Sequence, residues 1–170
     1  MAACEWGGRR WTVAAPPPTA ATAFIAYTGG QGGSDVIDDL AVLLLGEEQR
    51  DQIIEGMADG IISGSLKSLI EDAVEAGSGR PLKAVATLCA ATVKSWSIIR
   101  ARMVRSGIAD PLRQLPSLWA LIDVTESLIL ETKTDQKDRD DYMRQMYPAT
   151  YNQFSDDDAA ASFAAFMGAT

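Results

Sequence analysis

Asp123 and Glu126 lie one helical turn apart on a mostly apolar stretch and are this sequence's nearest approach to a working pair of carboxylates. Acid–base chemistry would need a second helix to bring a proton partner or further ligands to them. The chain contains no histidine. The commonest general base and neutral metal ligand is therefore missing, and Glu-x-x-His metal motifs cannot be built. Asp123 and Glu126 read instead as an outward polar edge. Asp156-Asp157-Asp158 offers oxygens to a hard cation, but a calcium loop spaces its ligands around a glycine turn and closes on a distant glutamate. That register is absent, and three aspartates after Ser155 suit the first turn of a capped helix. Asp138, Asp140 and Asp141, interleaved with Lys137, Arg139 and Arg144, make a solvated face with local ion pairs. Gly29-Gly30-Gln31-Gly32-Gly33 lacks the Gly-Lys-Ser/Thr ending of a phosphate loop and reads as a linker. Cys4 falls in a loose terminus and Cys89 in a helix as a small buried hydrophobe, so no disulfide framework is expected. These residues predict no catalytic site, no cofactor and no metal.

Charge and hydropathy narrow the partners. A net charge of −8 disfavours nonspecific nucleic-acid binding, which depends on clustered Lys and Arg neutralising phosphates. The one basic cluster, Lys94, Arg100, Arg102 and Arg105, falls late in a long helical pattern, where it complements the negative end of the helix dipole. Its alternative use is to meet an acidic partner. Arg9-Arg10 precedes an alanine-rich stretch, but Pro16-Pro17-Pro18 breaks the apolar run that an export signal requires. The apolar run from Ser117 to Leu130 contains Asp123 and Glu126 and is too short to cross a bilayer. Neither export nor membrane insertion is expected, and a reduced cytoplasmic setting suits the chain.

The elements that would position these residues are helices. With 170 residues and 47% hydrophobic content, the chain is long enough for one core, and the pattern predicts an all-α fold: a single-domain irregular helical bundle with an extended N-terminal arm. The arm spans 1–18, the helical domain 19–153, and a C-terminal helix or tail 154–170. Trp6, Trp11 and three prolines make the arm extended, with tryptophans docked on the body and Trp11-Thr12-Val13 able to pair as a short strand. Thr19 caps a helix through Tyr27. Ser34 caps a helix with Val36, Ile37, Leu40, Leu43 and Leu44 on one side, and Gly46 interrupts it. Glu47 to Asp59 follows, then a helix from Ser65 or Ser68 to Gly77. Pro81 to Ser106 is expected to be the spine. Leu82, Val85, Cys89, Val93, Trp96, Ile99 and Met103 step by three or four, and about 26 residues make a rod of roughly 39 Å. Its Trp96 should be buried against the next long helix, which starts at Pro116 and carries Leu118, Leu121, Ile122, Thr125, Leu128 and Ile129. Asp135 caps a charged helix stopped by Pro148.

Two soft apolar groups stand among charges or alanines. Tyr142, Met143 and Met146, with Tyr147, lie on the charged helix, where packing on the Pro116 helix competes with use as an adaptable partner surface. Phe163 and Phe166, with Met167, lie in the alanine-rich tail, which has little else to anchor it. Tyr142, Met143, Met146, Phe163 and Phe166 are thus the expected partner contacts.

The order of the punctuation carries a resemblance. Gly8-Arg9-Arg10-Trp11-Thr12-Val13-Ala14-Ala15-Pro16-Pro17, Gly79-Arg80-Pro81, Gly107-Ile108-Ala109-Asp110-Pro111, Leu115-Pro116-Ser117-Leu118-Trp119 and Tyr147-Pro148 follow one another over residues 7–153. In order and spacing this resembles the tail assembly chaperones of long-tailed phages, especially those of actinobacterial hosts. The resemblance implies a nonenzymatic protein of the infected bacterium's cytoplasm, absent from the finished virion, that coats the tape measure protein and helps tail tube subunits assemble around it. It also implies a longer product made by ribosomal frameshifting. A second copy of the chain is a further candidate partner. The family offers no catalytic residue to carry over. A neck or head completion protein and a small helical bacterial adaptor or regulator are the alternatives.

Overall fold

The computed structural model describes residues 2–29 and 33–148. Among them the chain is predominantly helical, with nine α-helices and one two-stranded sheet. It divides into a unit of Met1–Ile129 and a unit of Leu130–Thr170.

The first unit begins with a β-hairpin, where a single extended arm was expected. Strands β1 (Ala2–Trp6) and β2 (Arg9–Val13) pair antiparallel with Trp6 opposite Arg9 and Cys4 opposite Trp11. Gly7 and Gly8 have φ of 58° and 73°, the left-handed pair that a tight two-residue turn needs and that side-chain-bearing residues resist. Alternation puts Cys4, Trp6, Trp11 and Val13 on one buried face. Cys4 is therefore a core residue and not part of a loose terminus. Burial pushes its thiol above the usual range, with Asp72 adding to the effect. Trp6 Nε1 donates to Ser68 Oγ at 3.0 Å and Trp11 Nε1 to the Trp6 carbonyl at 3.1 Å, so neither indole is buried without a partner.

After a 3₁₀ turn at Pro18–Ala20 come α1 (Ala21–Thr28), α2 (Ser34–Leu45) and α3 (Glu47–Ala58). Helix α1 therefore starts one residue later than a Thr19 cap predicts, and Gly33 rather than Ser34 occupies the N-cap of α2. Helix α4 (Leu66–Ser78) is capped by the Ser65 hydroxyl accepting from the Ser68 amide. It runs through Gly77 and stops at Gly79, whose φ of 68° closes the turn. At Gly77 a side chain would crowd Val13 and the Trp119 indole, so a glycine expected to end the helix serves close packing instead.

The expected spine is broken. Helix α5 (Leu82–Lys94) and helix α6 (Trp96–Arg105) meet at Ser95 with a bend of 82°. Ser95 leaves helical geometry at φ −108° and ψ 20°. Its amide still closes α5 on Ala91, while its carbonyl accepts from Ile98 and Ile99 to open α6. Thr92, just before the break, turns its hydroxyl onto the Leu88 carbonyl at 2.8 Å, a back-bond of the kind that bends helices. Helix α7 (Pro111–Gln114) is one turn, and α8 (Leu118–Thr132) follows.

The core of the first unit is Phe24, Leu40, Leu44, Ile53, Leu69, Ile70, Leu88, Leu118, Leu121 and Ile122, all fully buried. Helix α1 packs on α5, α4 on the hairpin, and α2 on α1, α3 and α4. Phe24 and Trp119 meet edge to face with centroids 5.9 Å apart, the favourable arrangement of ring quadrupoles. No single helix among the described residues is long and apolar enough to cross a membrane. In the second unit, α9 (Gln136–Met146) is capped by Asp135, whose carboxylate accepts from the Asp138 amide at 2.7 Å.

Candidate partner-binding site

The two carboxylates that invite a chemical reading are held by one arginine. Arg80 places Nη1 2.8 Å from Asp123 Oδ1, with Nη2 and Nε at 2.7 and 3.1 Å from Glu126 Oε2. Glu126 is 8% exposed, which corrects its reading as an outward edge; Asp123 alone keeps that position. A buried carboxylate must be paired, and a guanidinium fork satisfies it in a way that lysine could not. The Gly79-Arg80-Pro81 sequence thereby has three separate uses: Gly79 ends α4, Arg80 reaches α8, and Pro81 opens α5. This geometry fastens α5 to α8.

A second polar link fastens the other end of α5. Thr92 and Thr125 hydroxyls lie 2.7 Å apart in the core, each also within reach of its own helix carbonyl, Leu88 at 2.8 Å and Leu121 at 3.0 Å. The two hydroxyl protons can serve two of these three contacts at once: with Thr92 donating to Leu88, Thr125 donates either to Thr92 or to Leu121. Cys89, between the two links, is fully buried. Burial pushes its thiol up to about 12, which leaves it a protonated, unreactive hydrophobe.

Beyond Thr92 the surface changes character. Where α5 breaks into α6, a cleft of about 350 Å³ opens, lined by Pro18, Thr22, Thr92, Val93, Trp96 and Leu112 among others, with Leu121 also contributing to its wall. Val93 and Leu112 are 52% and 40% exposed, and Trp96 is half-buried. A straight spine would have buried Val93 and Trp96 together. The chain bends by 82° between them at Ser95, and both lie on the wall of this cleft. Helix α6 then buries only Ile99 and Met103 and exposes Ile98 at 69% and Val104 at 46%. Large apolar side chains are thus exposed on both sides of the bend.

The residues expected to bind a partner have different placements. Tyr142 and Met143 are half-buried, and Lys133 Nζ lies over the Tyr142 ring at 6.0 Å. Met146 is buried and so offers little surface. Phe163 and Phe166, like Asp156, Asp157 and Asp158, lie outside the described residues. No group of three or more acidic or cysteine side chains that could hold a metal occurs among the described residues. The cleft itself is not legible as such in the sequence, because Val93 and Trp96 fit the same stripe as Cys89. The one available signal was polar: Thr92 and Ser95 interrupt the stripe at the point where it bends.

DUF7240, described as a family of unknown function, matches residues 90–170, a span that includes the α5–α6 bend, α6, α7 and α8. No curated protein and no solved structure matches the chain.

Proposed function

We propose that this chain is a tail assembly chaperone of a long-tailed phage, acting by binding and without a chemical step. It would cover apolar helical segments of the tape measure protein while tail tube subunits assemble around them. One observation carries the reading: the apolar cleft at the α5–α6 bend, with Val93 and Leu112 exposed on its wall, gives an acidic chain a concave hydrophobic surface of the kind that receives side chains from a partner helix. The layout resemblance over residues 7–153 adds the identity of that partner. Tyr142, Met143, Phe163 and Phe166 extend the candidate contact set beyond the cleft, in the adaptable manner of methionine-rich and aromatic surfaces. The protein would work in the host bacterial cytoplasm and leave before the virion is complete.

Coexpression tests it. The tape measure protein encoded by the same phage should gain soluble yield when this chain is present, and Phe163→Ser with Phe166→Ser should reduce the gain while leaving the helical circular dichroism unchanged. An unchanged yield with and without the chain would overturn the chaperone reading. A gain indifferent to the two serine substitutions would remove only those two contacts.

A further inference from the structure

The cleft has a charged flank whose sign opposes that of the rest of the chain. Residues 76–109 contain six Lys or Arg and no Asp or Glu, in a protein whose net charge is −8. Three of those cations, Arg100, Arg102 and Arg105, are exposed on α6, and exposed Lys94 follows the cleft residue Val93. Arg100 stands four residues after Trp96 and so shares its helix face. Helix-dipole compensation accounts for Arg102 and Arg105 in the last turn of α6. It does not account for Arg100, nor for the lack of any carboxylate through two successive helices.

We propose that the cleft and the start of α6 together bind an amphipathic helix that places large apolar side chains between Val93, Trp96 and Leu112 and lays acidic residues along Lys94 and Arg100. This deepens the partner-binding reading above and rests on it, by naming the surface and the chemistry of the helix. Two features select this occupant. The apolar part is concave, which suits side chains projecting from a helix rather than the flat boundary of a bilayer. The cations flank the cleft without lining it, so they can stay solvated while steering an acidic segment and rejecting a basic one.

The test uses the full chain and two synthetic helical peptides of identical apolar pattern, with Leu and Phe at i, i+3, i+4 and i+7 spacing. One carries Glu on its remaining face and the other Lys. Fluorescence anisotropy should show the Glu peptide binding about tenfold or more tighter than the Lys peptide, with affinity falling as salt rises. Val93→Ser with Leu112→Ser should weaken the Glu peptide about tenfold at all salt concentrations. Lys94→Glu with Arg100→Glu should erase the discrimination between the peptides. All four positions are exposed, so circular dichroism of the variants should match the parent. Equal binding of the two peptides would overturn the proposal. So would binding only to vesicles containing phosphatidylglycerol, or binding that emerges only when residues 149–170 are deleted, which would make that acidic, phenylalanine-bearing segment the occupant. A tape measure yield that rises equally with the parent and with these variants would overturn this surface while leaving the chaperone reading intact.

Discussion

Helices α5 and α6 come from one run of apolar residues at helical spacing, yet the first is a core element and the second a surface one. Helix α5 buries Leu82, Ala84, Val85, Ala86, Leu88, Cys89 and Thr92, whereas α6 buries only Ile99 and Met103. The difference lies in what holds each one. Helix α5 is tied to α8 at both ends, by Arg80 on Glu126 and by Thr92 on Thr125. Helix α6 packs chiefly on its predecessor and on the single turn of α7. Hydrophobic periodicity thus specifies that a segment has an apolar face without saying whether the protein or a partner covers it.

That contrast can be broken most severely at its first tie. Arg80→Met should strand the buried Glu126 carboxylate and cost about 3–5 kcal/mol, read from urea unfolding. A loss below 1 kcal/mol would mean that the pair does not anchor α5. Leu88→Ala, in the middle of the helix, should cost roughly 2–5 kcal/mol as a cavity in a packed core. Trp96→Ala, on the half-buried wall of the cleft, should cost only about 2 kcal/mol, well short of the penalty a fully buried spine position would carry. A penalty as large as that of Leu88→Ala would place Trp96 in the core after all.

The thiol of Cys89 distinguishes α5 by pH. Its folded value, raised by burial from 9.0 to about 12, exceeds the unfolded one. The unfolded chain therefore releases this proton first, and the contribution, complete below pH 9, is lost as pH climbs towards about 12. By pH 10 the loss should be about 1 kcal/mol, and Cys89→Ala should reduce the fall of the urea midpoint over that window, leaving the part that the raised Cys4 thiol contributes. The smallest effect belongs to α6: Ile98→Ser, at 69% exposure, should change stability by less than about 0.5 kcal/mol. Its consequence should appear in partner binding instead.

Much of the helical order was readable. Ser65, Asp135 and Gly46 bound helices as read because capping is local chemistry that a few neighbouring residues decide. What escaped was non-local. Nothing near Glu126 in sequence signals that Arg80 will cover it, and Trp11 and Trp6 do not announce that Gly7-Gly8 will fold them against α4. The bend at Ser95 escaped for a related reason: the back-bonded Thr92 just before it lies 2.7 Å from the Thr125 hydroxyl, a tertiary neighbour that local sequence does not announce. The candidate site inherits that limit, since its cleft exists only because of the bend.

The small sheet has an outer margin that the rest of the fold closes. Gln49, on α3, accepts from the Thr12 amide at 2.9 Å and donates to the Thr12 carbonyl at 3.1 Å, and the Leu44 carbonyl takes the Ala14 amide at 2.7 Å. A side-chain amide thereby occupies the position an incoming strand would take. An open strand margin is a template for self-propagating fibrils. Gln49 acts as a gatekeeper there: Gln49→Ala should leave the helices in place yet raise thioflavin-positive aggregation on gentle heating.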